Sequence, residues 1–107
     1  MREHTHATTQ NHLLAALPAP EYDRLSADLE LIEMPLGEVL SESGGRMRHV
    51  YFPTTSVVSI MYMLEDGSAA EIGVVGNEGI VGISLFMGGN TTPSRALVRG
   101  AGHAYRL

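Results

Sequence analysis

Two strongly β-forming segments flank a hairpin signal near the middle of the chain. Residues 56–64 are rich in β-branched side chains, residues 70–75 form a second apolar run, and the residues between them include Asp66-Gly67. An Asp-Gly pair between two such runs is the strongest short-range indication of a β-hairpin. The rest of the chain must therefore fold around an antiparallel pair of strands.

Further short segments carry the same strand pattern. They cover residues 29–34, 39–40, 49–53, 80–86, 96–99 and 103–107. Turns separate them, and most of the 12 glycines lie in those turns. Gly37 and Gly44 suit tight turns that require a positive φ. About eight short strands joined in this way are typical of sandwiches and barrels, so we predict a mainly β fold, a small antiparallel β-roll of the jelly-roll type.

The beginning of the chain has a helical pattern instead. Asn11 is a suitable N-cap for a short helix that carries three leucines and ends before Pro18. A second helix begins near Pro20, and its apolar face is formed by Tyr22, Leu25 and Leu29. Helices this short need a partner surface, so we expect both to pack on the roll. Residues 1–10 are polar and aperiodic and are expected to form a disordered arm.

Composition excludes several classes of protein. The chain has 107 residues, which is enough for one domain, and it contains no cysteine, which excludes disulfides and thiolate metal sites. Its net charge is −5, and its arginines are scattered, so direct nucleic-acid binding by this segment is not expected. The sequence has neither a secretory signal nor an apolar segment of the roughly 20 residues that a membrane helix needs. We expect a soluble cytoplasmic protein.

Neither catalysis nor a resident metal is indicated. Glu71 and Glu78 lie seven residues apart across a turn, which is not a paired-carboxylate arrangement. His4 and His6 have the spacing of a metal-binding pair of a β-roll enzyme but precede the predicted fold, and the other three histidines are isolated in sequence. We predict that the chain is not an enzyme and has no metal site, and we expect His49 to be a core-edge or surface imidazole.

Three segments together resemble one family. They read Pro-Leu-Gly-Glu-Val-Leu at 35–40, His-Val-Tyr-Phe-Pro at 49–53 and Glu-Ile-Gly-Val-Val-Gly-Asn-Glu-Gly-Ile-Val-Gly at 71–82. In this order, over residues 11–107, they resemble the effector domain of the Crp/Fnr transcription regulators. The resemblance implies a cyclic-nucleotide-binding-like β-roll that senses a small effector, with no required cofactor and with a cyclic nucleotide or another small molecule as the candidate ligand.

The ligand contacts that the resemblance implies are incomplete. In that family backbone N–H groups and an arginine bind the effector phosphate, and a glutamate accepts from the ribose. Gly82 matches the glycine that begins the family's phosphate-binding segment. Ile83 occupies the position of the glutamate in that segment, and Ser94 occupies the position of the arginine. Arg95 lies one residue further on. Its side chain reaches the pocket if the loop shifts by a residue, whereas strand alternation without such a shift turns it the other way. The candidate lining is Gly82, Ile83, Ser84, Ser94 and Arg95. Losing both contacts predicts cyclic AMP binding weaker by about a hundredfold or more.

The resemblance also implies a dimerisation helix and a helix-turn-helix after the roll. We expect that the chain stops before both, that the complete protein is a homodimer, and that DNA is bound only through a C-terminal domain absent from this chain. An uncharged or differently charged effector suits the lost arginine better than cyclic AMP does. The alternative is a vestigial pocket, filled by Ile83, Leu85, Phe86 and Met87, in a roll that serves as a dimerisation or protein-interaction module.

Overall fold

A computed structural model describes residues 7–41, 49–82 and 94–107, which form two antiparallel sheets and two short helices. After a 3-10 turn at Thr8–Gln10, the elements are α1 (His12–Ala16), α2 (Ala19–Ser26), β1 (Glu30–Met34), β2 (Val39–Ser41), β3 (Tyr51–Pro53), β4 (Val57–Met63), β5 (Ala69–Val75), β6 (Ser94–Gly100) and β7 (Gly102–Arg106). The strand order is β1-β7-β3 in one sheet and β2-β6-β4-β5 in the other. The predicted mainly β roll is confirmed.

The predicted hairpin joins β4 to β5. Gly67 has a φ of +89°, and its N–H donates to the carbonyl of Leu64 at 3.0 Å. The carboxylate of Asp66 accepts from the hydroxyl of Ser68 at 2.6 Å and from its backbone N–H at 2.9 Å. Both bonds favour the ionised form, so they lower the pKa of Asp66. Aspartate and glycine at these positions therefore determine the turn.

The core lies between the two sheets. It consists of Met34, Tyr51, Val58, Val81, Ala96, Val98 and Ala104, which come from both sheets and from the segment after β5. Each of these side chains alternates with a neighbour on the opposite face of its strand, as the period of two requires. The facing surfaces of the sheets are therefore the interior of the roll.

The helices cover the outer face of the three-stranded sheet. A second apolar cluster contains Leu14 of α1 with Val50, Phe52 and Tyr105, and Tyr22 of α2 packs against it. Phe52 and Tyr105 each follow or precede a residue of the interior core, so they lie on the other side of the sheet. The predicted N-cap is confirmed, since the Asn11 side chain accepts from the N–H groups of Leu13 and Leu14.

One corner of the roll is organised around a single carbonyl. The oxygen of His103 accepts the backbone N–H groups of residues 54–56 at 3.1–3.2 Å and the hydroxyls of Thr54 and Ser56 at 3.1 and 2.9 Å. Gly102 lies so close to this corner that a Cβ there would be 2.5 Å from the carbonyl carbon of Thr55. The β3–β4 connection is thereby fixed against the start of β7.

Some sequence expectations fall at the limits of the described residues. Gly37 has the predicted positive φ, +87°, whereas Gly44 lies outside the described residues. Of the expected arm, residues 1–6 also lie outside, and residues 8–10 form the 3-10 turn, where Thr8 is hydrogen-bonded to Tyr22. Of the expected strand at 80–86, the described part makes a single bridge, between Val81 and Tyr51. Within the described ranges no helix is long and apolar enough to cross a membrane.

Candidate functional site

Gly82 is held beside β3. Its neighbour Val81 exchanges two backbone hydrogen bonds with Tyr51, at 2.9 and 2.8 Å, and is almost fully buried in the core. Gly82 itself has a φ of +102°, a region that side chains disfavour. The first residue of the predicted lining therefore directly follows a core residue, in a conformation that calls for glycine.

The register of β6 separates the next two candidates. Ser94 lies opposite Tyr62 of β4 and alternates with Ala96 and Val98, both buried in the core. Ser94 is thus on the interior side of its strand. Arg95 lies opposite Met61 and is on the outer side, as alternation predicts. The arginine would reach the interior only if β6 moved by one residue. Ile83 and Ser84 lie outside the described residues.

The turn that leads into Gly82 is fixed from two directions. The Nδ2 amide of Asn11 donates to the carbonyls of Gly79 and Pro53, at 2.9 and 2.8 Å. The carboxylate of Glu78 accepts from the N–H of Gly76 at 3.1 Å, and this bond is the main cause of a lowered pKa of Glu78. The N-terminal helix and the approach to the candidate site therefore share one buried side chain.

A polar row crosses the three-stranded sheet on its interior face. Glu30, Arg106 and Tyr51 are register partners, and Tyr51 in turn pairs with Val81. Arg106 Nη2 is 2.6 Å from a carboxylate oxygen of Glu30, and this hydrogen bond is the main cause of a raised pKa of the guanidinium. Burial raises the pKa of the Tyr51 hydroxyl, although Arg106 opposes the shift. This guanidinium, which the sequence analysis missed, comes from β7 on the face of the sheet that carries Tyr51, and its ion pair with Glu30 is partly exposed.

A second polar network lies on the outer face of the four-stranded sheet. Buried Ser59 of β4 donates to Glu71 Oε1 at 2.6 Å. Arg99 of β6 donates from Nη1 to both oxygens of the same carboxylate at 3.1 Å. These three residues connect β4, β5 and β6. The sequence offered no signal for the network, because it depends on the pairing register of three strands.

The histidines described in the structure do not converge. His12 is exposed in α1, His103 lies in β7 opposite Glu33, and half-buried His49 meets the ring of Tyr51 edge-on at 6.2 Å. In residues 7–41, 49–82 and 94–107 there is no group of three or more metal-ligating side chains. His4 and His6 lie outside these ranges.

Comparison with solved structures identifies the fold. The sequence matches no protein-family model and no curated protein. The N-terminal domain of a transcriptional regulator from Streptomyces coelicolor A3(2) is similar, with a TM-score of 0.76, 20% identity and coverage of 94% of this chain and 71% of that one. The regulatory subunit of a cAMP-independent protein kinase A from Trypanosoma cruzi, bound to guanosine, has a TM-score of 0.78 and 18% identity, with coverage of 92% of this chain and 38% of that one. The catabolite activator protein of Thermus thermophilus has a TM-score of 0.72 and 14% identity, with coverage of 89% of this chain and 45% of that one.

These likenesses confirm the resemblance at the level of the fold. The chain has the cyclic-nucleotide-binding-like β-roll that regulatory proteins of the Crp/Fnr type contain. It spans less than half of the T. cruzi and T. thermophilus chains. The similar structures are regulatory and binding domains, and the register of β6 places Ser94 on the interior side of the roll.

Proposed function

We propose that this chain is the effector-sensing domain of a Crp/Fnr-type transcription regulator and binds a small molecule inside the roll, with the usual cyclic-nucleotide contacts degenerate. The observation that carries this proposal is the position of Ser94. It lies on the interior side of β6, where the resembled family has its phosphate-binding arginine. The roll thus keeps, at Gly82, the glycine that begins the family's phosphate-binding segment, and it has the hydroxyl of Ser94 where the family has a guanidinium.

The proposed lining is Gly82, Ile83, Ser84, Ser94 and Arg95. Of these, Arg95 contributes only if β6 shifts by one residue, because its present register turns it outward. A serine hydroxyl offers one donor and two acceptor sites without charge, so it suits an uncharged or differently charged effector better than a cyclic phosphate. The guanosine bound to the T. cruzi protein supports this direction, since guanosine lacks a phosphate.

The wider setting is part of the same proposal. The complete protein acts as a cytoplasmic homodimer and reaches DNA through a C-terminal domain outside this chain. Effector binding favours one of two arrangements of the roll, and this change in population shifts the arrangement of the elements that follow the roll. The domain itself catalyses no reaction and needs no cofactor.

Isothermal titration of the domain with cyclic AMP, cyclic GMP and guanosine tests the proposal. We expect guanosine to release heat and to raise the melting temperature, and we expect both cyclic nucleotides to bind at least about tenfold more weakly, a difference of roughly 1.4 kcal/mol. Arg95→Ala tests the shifted register, with Arg99→Ala as the matched control on the outer face. Weaker guanosine binding in the first variant alone would place Arg95 in the lining, and unchanged binding in both would remove it. Absence of heat and of a thermal shift with nucleosides and nucleotides at millimolar concentration would contradict an effector-sensing role.

A second candidate function has one specific observation in its favour. Four large apolar side chains of the β4–β5 hairpin region are exposed, namely Tyr62, Leu64, Ile72 and Val74. Tyr62 lies on the side of Ser94 and Val74 on the side of Ser59, so they flank the sheet at this end, and exposed apolar groups in such number are typical of an interaction surface. A roll with a vestigial pocket, acting as a dimerisation or protein-interaction module, would keep this surface and bind no small molecule. The same titrations separate the two candidates.

A further inference from the structure

We propose that the free edge of β5 pairs with the β5 edge of a second copy of this chain, antiparallel and centred on Gly73. In the described residues β5 pairs with β4 only, at the end of the four-stranded sheet. The opposite end of that sheet is β2, which has three residues, whereas β5 has seven. A long edge with unpaired backbone groups is a template for another strand.

The side chains of β5 suit such a contact. Ile72 and Val74 are 62% and 44% exposed and lie on either side of Gly73. Val74 lies opposite Ser59, which places both on the outer face of the sheet. The strand contains no lysine or proline, the residues that commonly protect an edge. In the pairing of β4 with β5, the bulge opposite Ile60 and Met61 is the one feature that opposes the addition of another strand at this edge. It leaves Ile72 without a register partner on β4.

Electrostatics favours a second copy over a charged partner. The strand has a single ionisable side chain, Glu71, and both of its oxygens accept from Arg99. The edge is therefore close to neutral, although the whole chain carries −5. Two copies can meet at this edge without opposing charges in the contact, and their overall repulsion is screened by salt.

The self-pairing register follows from the same strand. A two-fold axis through Gly73 places Ile72 opposite Val74 of the second copy, and this apolar pair occurs twice. The bulge at Ile72 interrupts the alternation beyond these pairs, so the register is specified by residues 72–74. Aliphatic cross-strand pairs stabilise a sheet and like charges destabilise it. A centre at Ile72 or Val74 would form only one aliphatic pair of this kind, and a centre at Glu71 would place two glutamates opposite each other. The product is a continuous eight-stranded sheet with isologous symmetry.

Cysteine cross-linking tests the register directly, because the chain contains no cysteine. A side chain at Gly73 would meet no atom within 4 Å. In the proposed pair the two Gly73 Cα atoms are about 4.5–5.5 Å apart, within disulfide range. We expect Gly73→Cys to form a disulfide-linked dimer on mild oxidation. Ala69→Cys, on the same strand, places the two thiols about 27 Å apart and should stay monomeric.

Sedimentation equilibrium of the unmodified chain and of two lysine variants gives the second readout. Val74→Lys should weaken self-association at least tenfold, whereas Leu36→Lys, at an exposed apolar residue away from β5, should leave it unchanged. Equal cross-linking of the two cysteine variants, or a chain that is monomeric at all concentrations, would overturn the inference. A dimer that Val74→Lys does not weaken would overturn the β5 edge while leaving the proposed homodimer intact. The effector titrations are independent of all these outcomes.

Discussion

The side-chain amide of Asn11 donates a hydrogen bond to the carbonyl oxygen of Gly79 at 2.9 Å. A second N–H of the same amide donates to Pro53, and the side-chain oxygen accepts from two N–H groups at the start of α1. All four hydrogen-bonding capacities of a fully buried side chain are therefore used. One residue joins the first helix, the end of β3 and the turn that precedes Gly82.

Replacing Asn11 with aspartate should destabilise the domain. The carboxylate keeps the helix cap but loses both donors and faces two carbonyl oxygens in a buried site. We expect a loss of about 3 kcal/mol at neutral pH. Burial should raise the pKa of the new carboxyl above its unfolded value of about 4, so the loss should shrink as the pH falls from the folded-state pKa to about 4 and be smallest below that. Urea unfolding measures it, with Asn77→Asp, exposed in the same region, as the control. Equal stability of the two variants would refute this role for Asn11.

Gly102 is predicted to tolerate no side chain. A Cβ there would lie 2.5 Å from the carbonyl oxygen of Thr55 and 2.7 Å from the nitrogen of Ser56. Because both atoms belong to the backbone, Gly102→Ala must displace the corner around His103, at a cost of about 3 kcal/mol or more. Gly73→Ala, in open space, should change the free energy of unfolding by less than about 1 kcal/mol. Similar melting temperatures for the two variants would contradict the crowding at this corner.

The outer network allows a ranking of two interactions. Arg99 and Glu71 have side chains 58% and 42% exposed, so their ion pair should contribute less than about 1 kcal/mol. Ser59 is 3% exposed, and its hydroxyl bonds to a charged group. We therefore expect Ser59→Ala to cost about 1.5–3 kcal/mol, more than Arg99→Ala does. A double-mutant cycle measures both costs and their coupling, and the reverse order would show that the ion pair dominates.

Stability should fall at alkaline pH because of two buried tyrosines. Burial is the main cause of the raised pKa of both Tyr51 and Tyr105. The folded state therefore holds these protons more tightly than the unfolded state, whose tyrosines titrate near pH 10. The stabilisation is complete below that pH and is lost as the pH rises through the folded-state pKa, by at most about 1.4 kcal/mol per pH unit and tyrosine. Urea midpoints between pH 9 and 11 should fall less steeply in a Tyr51→Phe, Tyr105→Phe variant, and an unchanged slope would disprove this assignment.

Much of the fold was predictable because its signals are local. Asp66-Gly67 determines the hairpin turn between β4 and β5. Asn11 caps α1, and Pro18 follows the end of that helix. Each of these structures could be identified from a few neighbouring residues. Strand ends were less certain. The strand predicted at 49–53 begins at Tyr51, although Val50 still exchanges two backbone hydrogen bonds, at 3.2 and 2.9 Å, with Leu107 just after β7.

The site was less predictable because its parts meet across strands. The outward position of Arg95 followed from alternation, and the register with Met61 agrees. The position of Arg106 between Glu30 and Tyr51 did not follow, because it depends on the pairing of β7 with β1 and β3. The amide of Asn11 likewise reaches Gly79, 68 residues away along the chain.

Restoring the missing contacts tests the central claim most directly. The double variant Ile83→Glu, Ser94→Arg returns the ribose acceptor and the phosphate arginine that the resembled family uses, with the arginine on the interior side of β6. Calorimetric titration with cyclic AMP should show binding at least about a hundredfold tighter than that of the unmodified domain, a gain of roughly 2.7 kcal/mol. Micromolar binding by the unmodified domain that Arg95→Ala abolishes, or no gain in the double variant, would contradict a roll with degenerate cyclic-nucleotide contacts.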